Sequence, residues 1–359
     1  MRASFERSEL LRLLGPVTKV VEARNTIPVL GNVLLAVTPS ADGITDGSVS
    51  VTGTDLDIRI TNRGAAKVAE GGAVTVSASK LGDIVRKLPT GADVSISIEP
   101  NNLIVKSGRS RFKLPTLPAE DFPDITVGEF TTTFTTDLAA LFKPVSFAIS
   151  TEETRFYLNG IYLHAVDGKL RAVATDGHRL AQHDGAAAES FPGVIVPRKV
   201  VGLVPPGEID VSISSTKVRF VSDALEVVSK VIDATYPDYQ RVIPRDNAKV
   251  ASVDRAALFA AADRVSTISS ERGRSVKLSF ADGSLALSVK SDEGSAEDEL
   301  AVGYDAEPLE IGFNASYLRD VLGTFGDESV LLRLNDASSP AVIDAGGPML
   351  CALMPMRVS

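Results

Sequence analysis

The sequence predicts an α+β fold made of three tandem repeats, in each of which two helices pack on antiparallel sheet. Three observations lead to this prediction. One amphipathic helical pattern occurs three times, a second helical pattern follows each copy, and the segments between them have the texture of strands and hairpins. The copies begin about 120 residues apart, which is an ordinary size for a whole domain.

The first helix of each repeat is predicted by apolar residues that recur at helical spacing and therefore share one face. They are Leu10, Leu13, Leu14, Val17, Val20 and Val21 in the first repeat, Leu138, Leu141, Phe142, Val145, Ala148 and Ile149 in the second, and Leu258, Ala261, Ala262, Val265 and Ile268 in the third. Pro16 and Pro144 occupy the same place in this pattern. A proline there is expected to kink or end the helix.

The second helix of each repeat is predicted by a shorter apolar stripe. Its members are Leu81, Ile84, Val85 and Leu88, then Val200, Leu203 and Val204, then Leu318, Val321, Leu322 and Phe325. Between the helices, alternating or β-branched runs such as "GSVSVTGTDLDIRIT" and "SLALSVKSD" are broken by turn signals and predict hairpins. Each repeat closes on a proline-bearing segment, so we predict domains over residues 1–125, 126–247 and 248–359.

Bulk composition narrows the class of protein. The single cysteine, Cys351, excludes an internal disulfide, and no apolar run approaches the roughly 18 residues that span a bilayer. With no apolar signal core near the first residues, we expect a cytoplasmic protein that does not enter a membrane. A net charge of −9 argues against tight binding to nucleic acid through phosphate contacts, although it does not exclude a locally basic face.

The stretch "ATDGHRLAQHD" at residues 174–184 is the most suggestive of chemistry. Asp176 and His178 are close enough for a hydrolase pair, but no nucleophile elbow, P-loop or HExxH string accompanies them. His178 and His183 are five residues apart, which suits neither one strand face nor one helix face as a metal site. A hydrolase and a tandem-repeat scaffold without a nucleic-acid role both stay open.

The first repeat offers a second reading of the same stretch. Its "GTDLDIRI" segment repeats the Thr-Asp pair, with Thr54 and Asp55 in the places of Thr175 and Asp176. The Thr-Asp pair therefore indicates a shared turn, and the residues that follow it in the second repeat are the better candidates for a special function. The pair Asp55 and Asp57 is the nearest approach to a two-carboxylate metal site, and such a pair is more often a turn flank.

An ordered set of longer strings extends through the whole chain. The strings are "RNTIPVLGNVLL" at 24–35, "SGRSRFKLPTLPAEDFP" at 107–123, "TRFYLNGIYLH" at 154–164, "TDGHRLA" at 175–181, "VIVPRK" at 194–199, "YPDYQRVIP" at 236–244, "EIGFNASYL" at 310–318 and "MPMR" at 354–357. With three repeats of this size and kind, the chain resembles the bacterial DNA sliding clamps, the beta subunits of DNA polymerase III. The resemblance implies a non-catalytic processivity subunit with three clamp domains, which form half of a six-domain ring.

The resemblance also implies a pocket between the second and third domains that receives a short apolar peptide. Its partners would be the DNA polymerase III alpha subunit, the clamp loader, and other polymerases and repair proteins. The pocket residues by matching string are Leu158, Thr175, Gly177, His178, Arg179, Leu180, Pro237, Arg241, Val242, Met354, Pro355, Met356 and Arg357. Flexible methionines suit several ligands, and Arg179 and Arg241 are expected to orient carbonyls or a carboxylate of the ligand.

Two further surfaces follow from the same resemblance. Arg24, Phe156 and Tyr157 match family positions that touch DNA in the bore, and Arg198 and Lys199 begin a helix that the resemblance places along it. Residues matching the interface of a head-to-tail homodimer are Arg109, Arg111, Phe112 and Leu114, facing Ile268, Glu297 and Glu299. A closed ring is retained on duplex DNA by topology, which reconciles an acidic chain with a DNA partner. No cofactor or metal of its own is expected.

Overall fold

The computed structural model describes residues 1–22, 25–41, 46–125, 128–268 and 275–357. The helices in these ranges are α1 (Arg7–Thr18), α2 (Ala78–Lys87), α3 (Leu138–Phe142), α4 (Arg198–Val201), α5 (Arg255–Ser266) and α6 (Ala315–Thr324). The strands are β1 (Arg2–Glu6), β2 (Asn32–Thr38), β3 (Gly47–Thr54), β4 (Ile58–Glu70), β5 (Gly72–Ser77), β6 (Asp93–Glu99), β7 (Asn102–Ser107), β8 (Ser110–Leu117), β9 (Thr132–Thr136), β10 (Gly160–Val166), β11 (Lys169–Thr175), β12 (Arg179–Ala187), β13 (Val194–Pro197), β14 (Ile209–Ile213), β15 (Lys217–Val221), β16 (Leu225–Lys230), β17 (Lys249–Asp254), β18 (Ser275–Ala281), β19 (Ser284–Ser291), β20 (Gly294–Ala301), β21 (Leu309–Asn314), β22 (Ser329–Leu334), β23 (Ala341–Asp344) and β24 (Met349–Leu353).

The chain divides into two compact units. The first unit comprises Met1–Asp137 and Gly202–Val231, and the second comprises Leu138–Val201 and Ile232–Ser359. The second predicted repeat therefore contributes β9 and β14 to β16 to the first unit and its other strands to the second unit. The predicted domain boundaries near residues 125 and 247 stay a prediction. Among the described residues, no helix combines the length and the apolar composition needed to cross a bilayer.

One antiparallel sheet organises the first unit, and two organise the second. In the first unit the strand order is β1-β6-β7-β8-β5-β2-β3-β4-β16-β15-β14-β9, and β1 also pairs with β4. In the second unit one sheet has the order β13-β10-β11-β12-β24-β23-β22-β17 and the other has the order β20-β19-β18-β21. The predicted α+β class, with helices packed on antiparallel sheet, is confirmed.

The helix α1 continues through Pro16, where a kink or an end was predicted. Its apolar stripe is buried against β3 and β4, and Leu10 and Leu13 are fully inaccessible. Pro16 has no N–H to give to the carbonyl of Arg12, one turn earlier. The Asn62 side chain from β4 donates to that carbonyl at 2.9 Å, so the buried acceptor keeps a partner and the helix is tolerated.

The helices of the second repeat are shorter than predicted. The helix α3 ends at Phe142, before Pro144, and a single 3₁₀ turn at Ser146–Ala148 carries the rest of the apolar stripe. The helix α4 has four residues, and Val204 stands before Pro205, which disfavours helical backbone. The apolar stripe is still buried, so the pattern identified the packing face correctly and the helix length incorrectly.

Candidate functional site

The candidate site begins at the tight turn between β11 and β12. The Asp176 carboxylate accepts hydrogen bonds from the backbone N–H groups of His178 at 2.9 Å and Arg179 at 3.0 Å. The Thr175 hydroxyl accepts from the Gly177 N–H at 3.1 Å and donates to the Arg179 carbonyl at 2.7 Å. Gly177 has a φ of +89°, which favours glycine. The Asp176 carboxylate therefore closes a turn, and this accounts for the residue without any catalytic role.

Arg179 ties this turn to the helix α6. Its Nε donates to Asp176 at 3.1 Å, its Nη2 donates to the Phe147 carbonyl at 2.9 Å, and its Nη1 pairs with Asp320. The guanidinium carbon also lies 4.4 Å from the centre of the Tyr317 ring, a cation–π distance. Each guanidinium nitrogen thus has an acceptor inside the chain. Arg179 thus holds the wall of the site, and its expected role in orienting a ligand stays a prediction.

An apolar cavity of about 270 Å³ lies beside this turn. It is lined by Arg155, Tyr157, Leu158, Thr175, Gly177, His178, Arg179, Leu180, Pro237, Asp238, Tyr239, Val242, Ala352 and Met354. Val242 and Met354 are 54% and 43% exposed, which is high for large apolar side chains and puts them at the mouth. A concave apolar site with a few polar groups at its rim is typical of ligand binding.

A sheet face and an overlying chain segment form the floor of the cavity. The buried apolar cluster here consists of Leu158, Val173, Leu180, Ile195, Tyr236, Tyr239 and Ala352. Tyr236 and Tyr239 come from the segment 232–243, which packs across the strands β10 to β13 and β24. Burial raises the pKa of the Tyr236 hydroxyl well above its usual range. The cavity is thus the open end of a sheet-and-segment core.

Most of the pocket residues predicted from the sequence line this cavity. Those that do are Leu158, Thr175, Gly177, His178, Arg179, Leu180, Pro237, Val242 and Met354. The sequence expectation for these positions and the geometry of the cavity therefore agree.

The other predicted pocket residues lie outside the lining, namely Arg241, Pro355, Met356 and Arg357. The Arg241 side chain is 84% exposed and pairs with Asp238 at 2.8 Å, so it faces solvent beside the mouth. The backbone N–H of Met356 donates to the Gly312 carbonyl at 2.7 Å, which carries the chain end away toward β21. These two contacts account for the positions of Arg241 and Met356, and the expected role of all four residues in ligand binding stays a prediction.

Several lining residues were missed in the sequence, namely Arg155, Tyr157, Asp238, Tyr239 and Ala352. Ala352 reaches the cavity because it lies opposite Leu180 across β12 and β24, a pairing that no local pattern reveals. Tyr239 stood in the quoted string "YPDYQRVIP", so a signal for it was present. Tyr157 is half-buried in the cavity wall, and its expected contact with DNA stays a prediction.

The alternative chemical sites do not assemble. The ring of His183 points to the other side of the sheet from the cavity, where its Nδ1 lies 3.2 Å from the Leu141 carbonyl. Asp55 accepts from the backbone N–H of Asp57 at 3.1 Å, and Asp57 pairs with Lys230 at 2.8 Å. Within the described ranges, no three His, Cys, Asp or Glu side chains converge as a metal site requires.

The residues predicted to contact DNA are mainly on the surface. Phe156 is 53% exposed, and Arg198 and Lys199 are exposed at the start of α4. Arg198 also lines a more open depression on the far side of the turn, next to Phe147. Arg24 lies outside the described residues.

The residues predicted at a dimer interface lie on two strands and one helix end. In the first unit, Arg109 is exposed, Arg111 pairs with Glu99 at 2.8 Å, and Phe112 is half-buried on β8. Leu114 is only 9% exposed, so it has little area left for a partner.

The residues on the other predicted side of that interface belong to the second unit. Glu297 and Glu299 are exposed on β20, while Asp298 between them pairs with Arg264 of α5 at 2.7 Å. Ile268, just after α5, is half-buried.

Comparison with known proteins covers the whole chain. Three models of the DNA polymerase III beta subunit match it, namely the N-terminal domain at residues 1–126, the central domain at 134–238 and the C-terminal domain at 240–357. The beta sliding clamp of Caulobacter vibrioides is 47% identical over 379 residues, with all of both chains covered. The beta sliding clamp of Escherichia coli K12 is 36% identical over 373 residues, again with full coverage of both.

Solved structures give the same result. The sliding clamp from Bartonella birtlesii, solved bound to griselimycin, has a TM-score of 0.93 at 44% identity, and all of both chains is covered. The DNA polymerase sliding clamp from Caulobacter crescentus has a TM-score of 0.90 at 44% identity, also with full coverage. This chain therefore belongs to the DNA polymerase III beta subunit family, the non-catalytic bacterial sliding clamps.

Proposed function

We propose that this sliding clamp closes as a head-to-tail homodimeric ring around duplex DNA, holds DNA polymerase III on its template, and recruits partners through the cavity beside the Thr175–Arg179 turn. The observation that carries the proposal is similarity to sliding clamps over the whole chain, which leaves no described unit outside the match. Three clamp domains over 1–125, 126–247 and 248–359 would supply half of the ring. Acting on the chromosome, the ring would work in the bacterial cytoplasm.

The edges of two sheets support dimer formation. Residues 110–114 of β8 pair with β7 and have no second strand partner within the described chain. The strand β20 is also an edge strand, because within the described chain it pairs only with β19. Arg109 and Arg111 beside β8 carry the opposite charge to Glu297 and Glu299 on β20. Complementary charge favours one register between two chains, and joining the edges would satisfy both rows of backbone groups.

The charge distribution supports retention by topology more than by tight contact. The chain has a net charge of −9, and two of the cations on the first two helices are paired with carboxylates. Arg12 pairs with Glu9 at 2.6 Å, and Arg86 pairs with Asp83 at 2.8 Å. A binder that depends on phosphate contacts needs free cations, and its affinity falls steeply with salt. A closed ring does not need them and slides more easily without them.

The cavity supports recruitment of short apolar peptides. Pro237, Val242 and Met354 offer apolar contact at its mouth, and the flexible Met354 side chain suits more than one ligand. The DNA polymerase III alpha subunit, the clamp loader, other polymerases and repair proteins are the proposed partners, each through such a peptide. A relative solved with griselimycin supports the view that clamps of this family offer a ligand site.

A loading experiment tests the ring. The chain is loaded by a bacterial clamp loader onto nicked circular DNA, the salt is raised, and the circle is then cut. We expect the protein to stay on the intact circle at high salt and to leave once the DNA is linear. Loss from the intact circle at high salt, while sedimentation shows a persisting dimer, would contradict topological retention.

A peptide-selection experiment tests the cavity. Nonapeptides displayed on phage are selected on the wild-type chain, and each selected peptide is labelled and measured by fluorescence anisotropy. We expect apolar peptides that lose at least about tenfold in affinity for the Val242→Asp variant, because a buried charge opposes apolar contact. The matched control is Ile27→Asp, since Ile27 is similarly exposed at 48% and lies in the first unit. If the selected peptides bind Val242→Asp as tightly as the wild-type chain, partners are recruited at a different surface.

A further inference from the structure

A polar row crosses the sheet face that carries the cavity. His164 of β10 lies opposite Arg171 of β11, and Arg171 lies opposite Asp184 of β12. Directly opposed residues on neighbouring strands project to the same face, so these three side chains stand side by side. They are well covered: His164 is 9% exposed, and the side chains of Arg171 and Asp184 are 12% and 21% exposed. None of the three lines the cavity.

The row meets the hydroxyl group of Tyr239. Arg171 makes a two-pronged pair with Asp184, in which Nη2 lies 2.8 Å from Oδ2, and its Nη1 lies 3.5 Å from the Tyr239 hydroxyl. His164 Nε2 lies 3.1 Å from the same hydroxyl. One phenol oxygen is thus held from two sides, by groups on two strands.

Aromatic stacking holds the ring of His164 in turn. The His164 ring stacks on Tyr162, with 4.5 Å between centroids, and Tyr162 stacks on Tyr236 at 4.8 Å. The edge of Tyr239 meets the His164 ring at 5.7 Å. Burial, followed by the charge of Arg171, lowers the pKa of His164 to about 4, so the imidazole is neutral near pH 7. In the tautomer with its proton on Nδ1, a neutral imidazole accepts a hydrogen bond from the Tyr239 hydroxyl, and Arg171 donates to the hydroxyl oxygen.

We propose that His164, Arg171 and Asp184 are positioning residues, which fix the Tyr239 ring in the cavity wall and so set the affinity of the cavity for apolar peptides. Tyr239 is the member of this network that lines the cavity, so the effect of the row on a ligand passes through its ring. This inference rests on the proposed peptide-binding role. Nδ1 of His164 has no hydrogen-bond partner within the described chain, so the position of the Tyr239 ring depends on the bonds to its hydroxyl and on the ring contacts. Loss of one of these contacts frees the ring.

A double-mutant cycle with a selected peptide tests the inference. The single variants are Asp184→Asn, His164→Phe and Tyr239→Phe. In the two double variants, Tyr239→Phe is combined with Asp184→Asn or with His164→Phe. We expect each single change to weaken peptide binding by roughly three- to tenfold, because the ring loses a fixed position. In the Tyr239→Phe background, a further change at Asp184 or His164 should add less than about twofold, because the hydroxyl through which they act is gone.

A matched ionic pair controls for general loss of stability. Arg333 pairs with Asp344 at 2.6 Å in the same sheet, and neither residue lines the cavity. Asp344→Asn should lower the unfolding temperature about as much as Asp184→Asn and leave peptide affinity unchanged. Unchanged affinity in both Asp184→Asn and His164→Phe, or effects that multiply with Tyr239→Phe, would overturn the inference. Failure to select any peptide that discriminates Val242→Asp would instead overturn the proposed function, and the inference with it.

Discussion

The same five-residue turn occurs once in each compact unit, at residues 54–58 and 175–179. In both turns the first residue is a threonine, whose hydroxyl accepts a hydrogen bond from the backbone N–H of the third residue. The second residue is an aspartate, whose carboxylate accepts hydrogen bonds from the backbone N–H groups of the fourth and fifth residues. In both, the backbone N–H of the aspartate donates to the fifth carbonyl, at 3.2 Å and 3.3 Å. These four hydrogen bonds therefore recur in both turns, and in the second turn the Thr175 hydroxyl also donates to the Arg179 carbonyl.

The two turns differ at their third, fourth and fifth positions, and at the fourth Asp57 of the first turn is replaced by His178, which lines the cavity. The third residue is Leu56 in the first turn and Gly177 in the second, and both have left-handed backbone, with φ of +78° and +89°. The fifth residue is Ile58, an apolar residue that is 3% exposed, and in the second turn it is Arg179, which links the turn to α6. The comparison teaches that the Thr-Asp pair makes the turn, whereas the residues at the third, fourth and fifth positions make it a cavity wall.

The largest expected effect comes from replacing Arg179, the residue that distinguishes the second turn by linking it to α6. In Arg179→Ala, the carboxylates of Asp176 and Asp320 and the Phe147 carbonyl all lose a donor, and the local opening free energy should fall by about 2–4 kcal/mol. Hydrogen exchange of the β11 and β12 amides measures that loss directly. Arg241→Ala is the matched control, since its exposed pair with Asp238 should contribute less than about 1 kcal/mol. Equal effects of the two changes would contradict the role given to Arg179.

A pH titration should sharpen the difference between the units, because the three histidines of the chain all lie in the second. Burial lowers the pKa of His164 to about 4, below its ordinary value of 6.5. The unfolded state then binds more protons between these values, so the stability contributed by neutral His164 is present above pH 6.5 and is lost as the pH falls to 4.

We expect this loss to reach roughly 2–3 kcal/mol, from a pKa difference of this size. Hydrogen exchange of β10 and β11 amides between pH 4 and 7, corrected for the intrinsic pH dependence, measures it. In His164→Gln the slope over this window should flatten in the second unit. Lowered carboxyl pKa values at Glu9 and Glu226 give the first unit a slope of its own, which should be the same in both proteins. A slope that persists unchanged in His164→Gln would assign the effect to other groups.

Adding a methyl group at Gly177, the third residue of the second turn, should have a smaller effect. A Cβ built on Gly177 lies 2.4 Å from Nη1 of Arg155, so this flexible side chain must move and its pair with Glu152 must shift. Together with the left-handed backbone, Gly177→Ala should cost about 1–2 kcal/mol of local stability and weaken peptide binding. Fluorescence anisotropy with a selected peptide measures the change in affinity, and hydrogen exchange of the β12 amides measures the loss of local stability. A Gly177→Ala chain with unchanged binding and exchange would show that the glycine is not required.

Much of this organisation was open to prediction from the sequence. Helical periodicity located the packing face of each helix, and the shared Thr-Asp pair identified the turn in both units. The periodicity did not give helix lengths in the second repeat, because Pro144 ends α3 whereas Asn62 allows α1 to continue through Pro16. Nor did it reveal that Arg179 meets Asp320, because the two are 141 residues apart and only tertiary structure joins them. Ala352 was missed for the same reason, since it meets Leu180 only through the pairing of β12 with β24.

The smallest effect should come from relieving the first turn. Leu56 keeps a left-handed backbone that costs a side-chain-bearing residue roughly 1–2 kcal/mol, and it is 42% exposed, so its packing offsets little of that cost. In Leu56→Gly the backbone strain disappears, but the greater entropy of the unfolded chain lowers the free energy of unfolding by about 0.5–1 kcal/mol. The net increase in the free energy of unfolding should be about 0.5 kcal/mol. Exchange of β3 and β4 amides measures this gain. Leu56→Ala is the matched control, since it removes the side chain while keeping the Cβ and its strain. A loss of stability in both variants would show that the Leu56 side chain itself supports the turn, and the two turns would then differ in packing as well as in strain.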